Sequence, residues 1–272
     1  MTHDTQQHYD LEVQFFKAFL DPYMKYSCGL WERGDNFASA AVRMLDRLID
    51  EAKLPEKPRV LEIGPGWGSL IKRLQHRGIP FEYVGVSPSP VQNAYIKSEF
   101  GMEPITGAFE EVAEQLVPRS FDAIFAMGAW CHLKDKLQRM EDCAGLLKPS
   151  GRLLIEDTFF LSERVYQEHR DHPLTKFVQQ EVFGFAQVDS LPSHFENCNR
   201  AGLRVVSTLD HTSSYVATID EWQKRLSALE GTYPQIPKFQ KYLGVFQRGW
   251  GYTIVNHLVV HEVASRPQTM KV

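Results

Sequence analysis

Apolar residues along the chain alternate between two periods. From Asn36 to Lys53, Ala41, Met44, Leu45, Leu48, Ile49 and Ala52 fall on one helical face, and Pro55 and Pro58 end the helix. Val60, Leu61 and Ile63 then form a short apolar strand, Gly64 to Gly68 turn the chain, and Leu70 to Gln75 resume a helical period. The pattern repeats as FEYVGV at 81–86 before a helix over 90–99, FDAIFAM at 121–127 before a helix over 137–147, and GRLLIED from Gly151. Four alternations of strand and helix predict an α/β fold, a mostly parallel, doubly wound Rossmann-like sheet, with ligands at the carboxyl ends of its strands.

Composition narrows the reading. The chain has 272 residues, 43% hydrophobic and 24% charged, with a formal net charge of -4 and no Lys/Arg run. That profile fits one globular domain and gives no footing for nucleic acid or for charge-held attachment to anionic lipid. The opening MTHDTQQHYD is polar, and no later run approaches the roughly 18 apolar residues of a membrane span, so no stable membrane insertion and a cytoplasmic location are expected. The four cysteines, at 28, 131, 143 and 198, lack CxxC spacing, so neither a metal site nor a disulfide framework is expected. Nothing in the sequence speaks to oligomeric state.

The glycine loop carries the first chemistry. Gly64, Gly66 and Gly68 permit a left-handed backbone and close approach of a ligand, and the helix beyond offers free N–H groups. A dinucleotide site would place an acidic residue at the end of the second strand, yet that strand runs into GVSPSP. The loop instead has an acid inside it, Glu62, and its EIGPGWG pattern resembles the first motif of class I S-adenosylmethionine (SAM) methyltransferases.

A longer resemblance follows. HYDLEVQFFKAFLDPYMKYSCGLW is similar, without a gap, to the opening signature of the cyclopropane-fatty-acid and mycolic-acid cyclopropane synthase family. EIGPGWG, GVSPSPVQ, MGAWCHL, LLKPSG, SYVATIDEW and YLGVFQRGWGYTIVNHLVV extend it over nearly the whole chain. The resemblance implies a single methyltransferase domain: a helical N-terminal cap over 1–57, a SAM-binding core over 58–157, a helical substrate cover over 158–195, and C-terminal core strands and helix over 196–272. It assigns SAM to Tyr26, Ser27, Glu62, Gly64, Gly66, Gly68, Ser87, Gln92 and Met127. It also implies a small-molecule or acyl substrate, and the Phe-rich stretch with Phe159, Phe160, Phe177, Phe183 and Phe185 suits an apolar one.

The chain departs from the family where a bicarbonate ion serves as base. Of the four family positions around that anion, Cys28 and Tyr215 are kept, but Cys131 stands for a Glu and Glu156 for a His. A carboxylate at 156 would repel bicarbonate by roughly 4 kcal/mol at about 4 Å and an effective dielectric near 20, so the ion is not expected there. Glu156 is then the candidate internal base, and His132, retained in the same motif as Cys131, is a second. The favoured reading is methyl transfer to a carbon or heteroatom of an apolar acceptor. Cyclopropanation of an unsaturated acyl chain and a catalytically inactive SAM-binding partner are the alternatives.

Overall fold

In the computed structural model, residues 11–264 are described; the HYD of the opening signature lies outside them. Strands β1 (Arg59–Ile63), β2 (Glu82–Ser87), β3 (Ile105–Thr106), β4 (Phe121–Met127), β5 (Leu147–Phe160), β6 (Leu203–Asp210) and β7 (Ile254–Val263) form one sheet in the order β3-β2-β1-β4-β5-β7-β6. The first five are parallel and β7 runs antiparallel to both its neighbours. Strand order reverses between β1 and β4, which opens a crevice at their carboxyl ends.

The helix Phe37–Glu51 begins at Asn36, whose side chain accepts from Ser39 N–H while Ser39 Oγ accepts in return from Asn36 N–H. It buries Ala41, Met44, Leu45, Leu48 and Ile49, the face expected from the sequence. The central strands β1 and β4 are mostly apolar and buried on both sides, as parallel strands covered by helices must be.

A second core lies above the carboxyl ends of the strands. Between β6 and β7 the chain inserts two long helices, Thr212–Ala228 and Ile236–Gly249. They meet the N-terminal helix Val13–Phe19 in an aromatic cluster that includes Phe15, Phe16, Phe19, Trp67, Trp222, Phe239 and Tyr242. Phe15 and Phe239 pack edge to face at 4.9 Å, the arrangement their ring quadrupoles favour. The roof over the crevice is therefore built from both sides of the sequence, and the stretch 158–195 is only part of it. Phe159 and Phe177, expected in the substrate lining, are instead buried in the two cores, Phe177 with the Lys241 ammonium 3.9 Å from its ring centre. Among the described residues no helix is long and apolar enough to cross a membrane.

Candidate active site

The loop after β1 shapes the first cleft. Gly64, Gly66 and Gly68 all have positive φ, +68°, +54° and +78°, so each holds a backbone that side-chain-bearing residues rarely adopt. Their reasons differ. A Cβ on Gly64 would stand 2.6 Å from that of Ala129, and one on Gly68 would strike the Phe100 ring at 2.5 Å. A Cβ on Gly66 would meet nothing within 4 Å, and Gly66 lines the cleft, so it is the glycine that leaves space for a ligand.

The cleft spans about 910 Å³ including its open mouth. Tyr26, Ser27, Gly64, Gly66, Ser87, Gln92 and Met127 all line it, which brings together seven of the nine residues expected around SAM. Ser87 and Gln92 are buried there, beside Ser89, whose hydroxyl caps the helix Pro90–Phe100 by accepting from Gln92 N–H at 3.2 Å. Two buried hydroxyls, an amide side chain and an open glycine cradle suit a ligand with a ribose and an amino-acid end.

Glu62 and Gly68 stand outside this lining. Glu62 lies within β1 with no exposure, and its Oε2 accepts from Tyr83 O–H at 2.7 Å. Burial pushes its carboxyl up to about 8, against the lowering effect of that hydroxyl. A carboxyl whose folded value exceeds its unfolded one favours folding below the unfolded value and loses that contribution as pH rises through the folded value. Chemical denaturation between pH 4.5 and pH 8 should therefore show Glu62→Gln gaining on the wild type as pH rises, by on the order of 3 kcal/mol. Parallel curves for the two proteins would disprove the assignment.

A second chamber of about 640 Å³ adjoins the first and shares Tyr26, Gly128 and His132 with it. Gly128, at φ +61°, would carry a Cβ 3.1 Å from that of Ser27, so glycine lets the Tyr26–Ser27 segment close over the junction. The chamber walls are largely aromatic, Phe183, Tyr215, Trp222, Tyr242 and Phe246 among them, and its polar side holds Cys131, His132, Asp157 and Thr158. Tyr26 is held across the boundary by a hydrogen bond to Tyr242. Thr158, Val178, Gln179, Val188 and Phe246 continue the chamber into an outer groove that reaches the surface near His172 and Arg248. Val178 and Gln179 come from a π-helical turn over Phe177–Val182, a wider winding often found at ligand sites.

Asp157 is the acid in this chamber. Its Oδ2 accepts from Cys131 N–H at 2.9 Å and its Oδ1 from Thr158 N–H at 2.7 Å. Burial pushes its carboxyl up to about 6, with the two N–H groups opposing. The Cys131 thiol is pushed well above its ordinary range, first by burial and then by Asp157. A second carboxylate at position 131 would face Asp157 directly, which gives a physical reason for cysteine there. His132 Nδ1 lies 2.9 Å from Phe185 O, an acceptor, which selects the tautomer with hydrogen on Nδ1 and the lone pair on Nε2.

Glu156, expected to face the acceptor, does not line either chamber. It pairs with two residues that the sequence reading passed over. Lys25 Nζ lies 3.3 Å from Oε2 and His211 Nε2 lies 3.4 Å from Oε1, all three groups being buried. Burial raises the Glu156 carboxyl, but Lys25, then His211 and Ser27, outweigh it and hold the group at about 2. The bare carboxylate envisaged from sequence is thus charge-matched within the protein. Cys28 is likewise outside both linings, fully buried with its Sγ 2.8 Å from Gly29 O. Among the described residues no group of three or more His, Cys, Asp or Glu could hold a metal ion.

Comparison with known proteins matches this arrangement to one family. The family model "Mycolic acid cyclopropane synthetase" matches residues 1–247. Cyclopropane mycolic acid synthase 3 of Mycobacterium tuberculosis is 26% identical over 239 residues, covering 83% of this chain and 82% of that protein. The solved structure of cyclopropane synthase MmaA2 from Mycobacterium tuberculosis superposes with a TM-score of 0.84 at 24% identity, over 95% of this chain and 97% of the other. Cyclopropane synthase CmaA1, solved as a complex with S-adenosylhomocysteine (SAH) and CTAB, gives a TM-score of 0.83 at 24% identity over the same shares. The chain belongs to the mycolic acid cyclopropane synthetase family, a class of SAM-dependent methyltransferases.

Proposed function

We propose that this protein transfers the methyl group of SAM to a nucleophilic carbon or heteroatom of an elongated apolar acceptor, such as an acyl chain, without using bicarbonate. The observation that carries the reading is the junction: a glycine-cradled cleft and an aromatic chamber share Tyr26, Gly128 and His132. When bound, SAM supplies a methyl group on a sulfonium that departs as a neutral thioether. The chain aligns the two partners, excludes water with the aromatic roof and takes up any proton that must leave, and alignment alone accounts for much of the acceleration in such a displacement.

Asp157 is the proton acceptor best placed for that task. It stands on the acceptor side with a value near neutrality, whereas Glu156 is held at about 2 and sealed behind the wall. His132, which lines both the cleft and the chamber, is the second acceptor at the junction. Glu156, which by resemblance stands for one of the residues that hold the family's bicarbonate, is paired here with Lys25 and His211. Family membership favours one second reading, ring formation on an alkene: the methyl carbon adds to one alkene carbon, and loss of a proton from that methyl to Asp157 closes the ring.

The deciding experiment incubates the protein with methyl-labelled SAM and, separately, unsaturated fatty-acyl esters, their saturated counterparts and extract of the producing cells. The expected product is heavier by one CH₂ and forms equally well with added bicarbonate. A retained double bond indicates methylation and a consumed one indicates ring closure. No labelled product and no SAH release in any arm would leave a SAM-binding partner as the reading.

A further inference from the structure

We propose that Lys25 and Glu156 form a charge-balanced floor that sets how strongly the donor cleft prefers the cationic donor over its neutral product. The inference rests on SAM being the donor and concerns residues not assigned to donor binding above.

The position of the pair supports this. Lys25 Nζ donates to the Ser27 hydroxyl, to Cys28 O at 2.7 Å and to Glu156 Oε2 at 3.3 Å. Lys25 lines the donor cleft together with Ser27, the hydroxyl its ammonium donates to, so its charge lies at the cleft wall. Glu156 sits opposite Met127 in the β4–β5 register, and its carbonyl accepts from Gly128 N–H at 2.7 Å. Met127 and Gly128 both line the cleft, and Gly128 also lines the acceptor chamber. Both charged side chains are only 1% exposed, so water screens their fields little.

A buried ion pair of this kind is a poor device for stability, because apolar residues of the same volume commonly serve as well. Its distinctive property is a field at the wall. Methyl transfer converts a positively charged sulfonium into a neutral thioether, so the two ligands respond differently to charges behind that wall. The carboxylate favours the cation, the ammonium opposes it, and together they nearly cancel. Removing either partner exposes the other.

Isothermal titration of SAM and of SAH, each against the full-length protein, reads this out. Glu156→Gln should lower the ratio of SAM affinity to SAH affinity by roughly ten- to hundredfold, the size Coulomb's law gives for unit charges within about 10 Å at an effective dielectric near 20. Lys25→Met should raise the same ratio, and the double variant should return towards the wild-type value. A purely structural role would weaken both ligands alike. Should Lys25→Met fail to fold, the fall in Glu156→Gln and the recovery in the double variant still decide the matter. An unchanged ratio in Glu156→Gln, or single variants that shift it in the same direction, overturns the inference. Absence of binding of either ligand to the wild type would instead overturn the donor assignment itself.

Discussion

Gly66→Val is expected to abolish SAM binding, with a loss of roughly a hundredfold or more, while the sheet still forms. Two effects combine at this position: the side chain enters the space left for the ligand, and a β-branched residue is forced to a positive φ. The backbone strain costs the fold about 1–3 kcal/mol, which a domain with two large cores can absorb. Gly64→Val provides the contrast, because its side chain would collide with Ala129 and damage packing before binding is tested. Calorimetry and thermal unfolding on both variants should therefore separate them, Gly66→Val losing the ligand and Gly64→Val losing stability. Unchanged SAM affinity in folded Gly66→Val would refute the cradle.

The second large effect is expected at Asp157. Asp157→Asn should lower turnover by roughly 10²- to 10⁴-fold for an acceptor that must lose a proton, the usual worth of a positioned base. Donor affinity should persist, since Asp157 is absent from the donor lining. The pH profile distinguishes a base from a structural acid. A carboxyl pushed up to about 6 is protonated and idle below that value, so wild-type turnover should rise as pH increases through about 6. The variant should lack that limb. The amide also presents an N–H to one of the two backbone donors that the carboxylate now accepts from, so some loss of stability will accompany the change. A variant that keeps wild-type turnover, or keeps the limb near 6, would transfer the role to His132.

The glycine cradle of the donor site was legible because it is local, whereas Tyr26, Ser27, Ser87, Gln92 and Met127 were marked only by resemblance. Five residues after one strand make the cradle, and the turn signals, the strand before it and the helix after it lie within a single window. Which glycine faces the ligand was not legible, since Gly64, Gly66 and Gly68 share the same backbone region and differ only in distant neighbours, Ala129 and Phe100. The acceptor half is scattered over β4, β5, the π-helical turn and the two late helices, so no window contains it.

The exchange of Glu156 for Asp157 has a specific cause. Strand β5 is buried on both faces from Gly151 to Phe160, so the alternation that would tell one side from the other is missing. Position 156 is marked only by resemblance, and no sequence signal marks its neighbour Asp157, which points the other way. Lys25 escaped for a related reason: a lysine in a loop is ordinarily at the surface, and only the fold brings Glu156 to it.

The two helices inserted between β6 and β7 also bear on how the protein is made. Strand β5 cannot complete its pairing until β7 arrives, and residues joined across that edge, Arg152 and Glu262, are 110 positions apart. The bond between Tyr26 and Tyr242 closes a span of 216 positions. Contacts so distant in sequence carry a large loop-closure cost and form slowly. The glycine cradle, made of near neighbours, can assemble while the chain is still emerging from the ribosome. The aromatic chamber has to wait for the last strand, so a nascent chain can form its glycine cradle before it has anywhere to hold an acceptor.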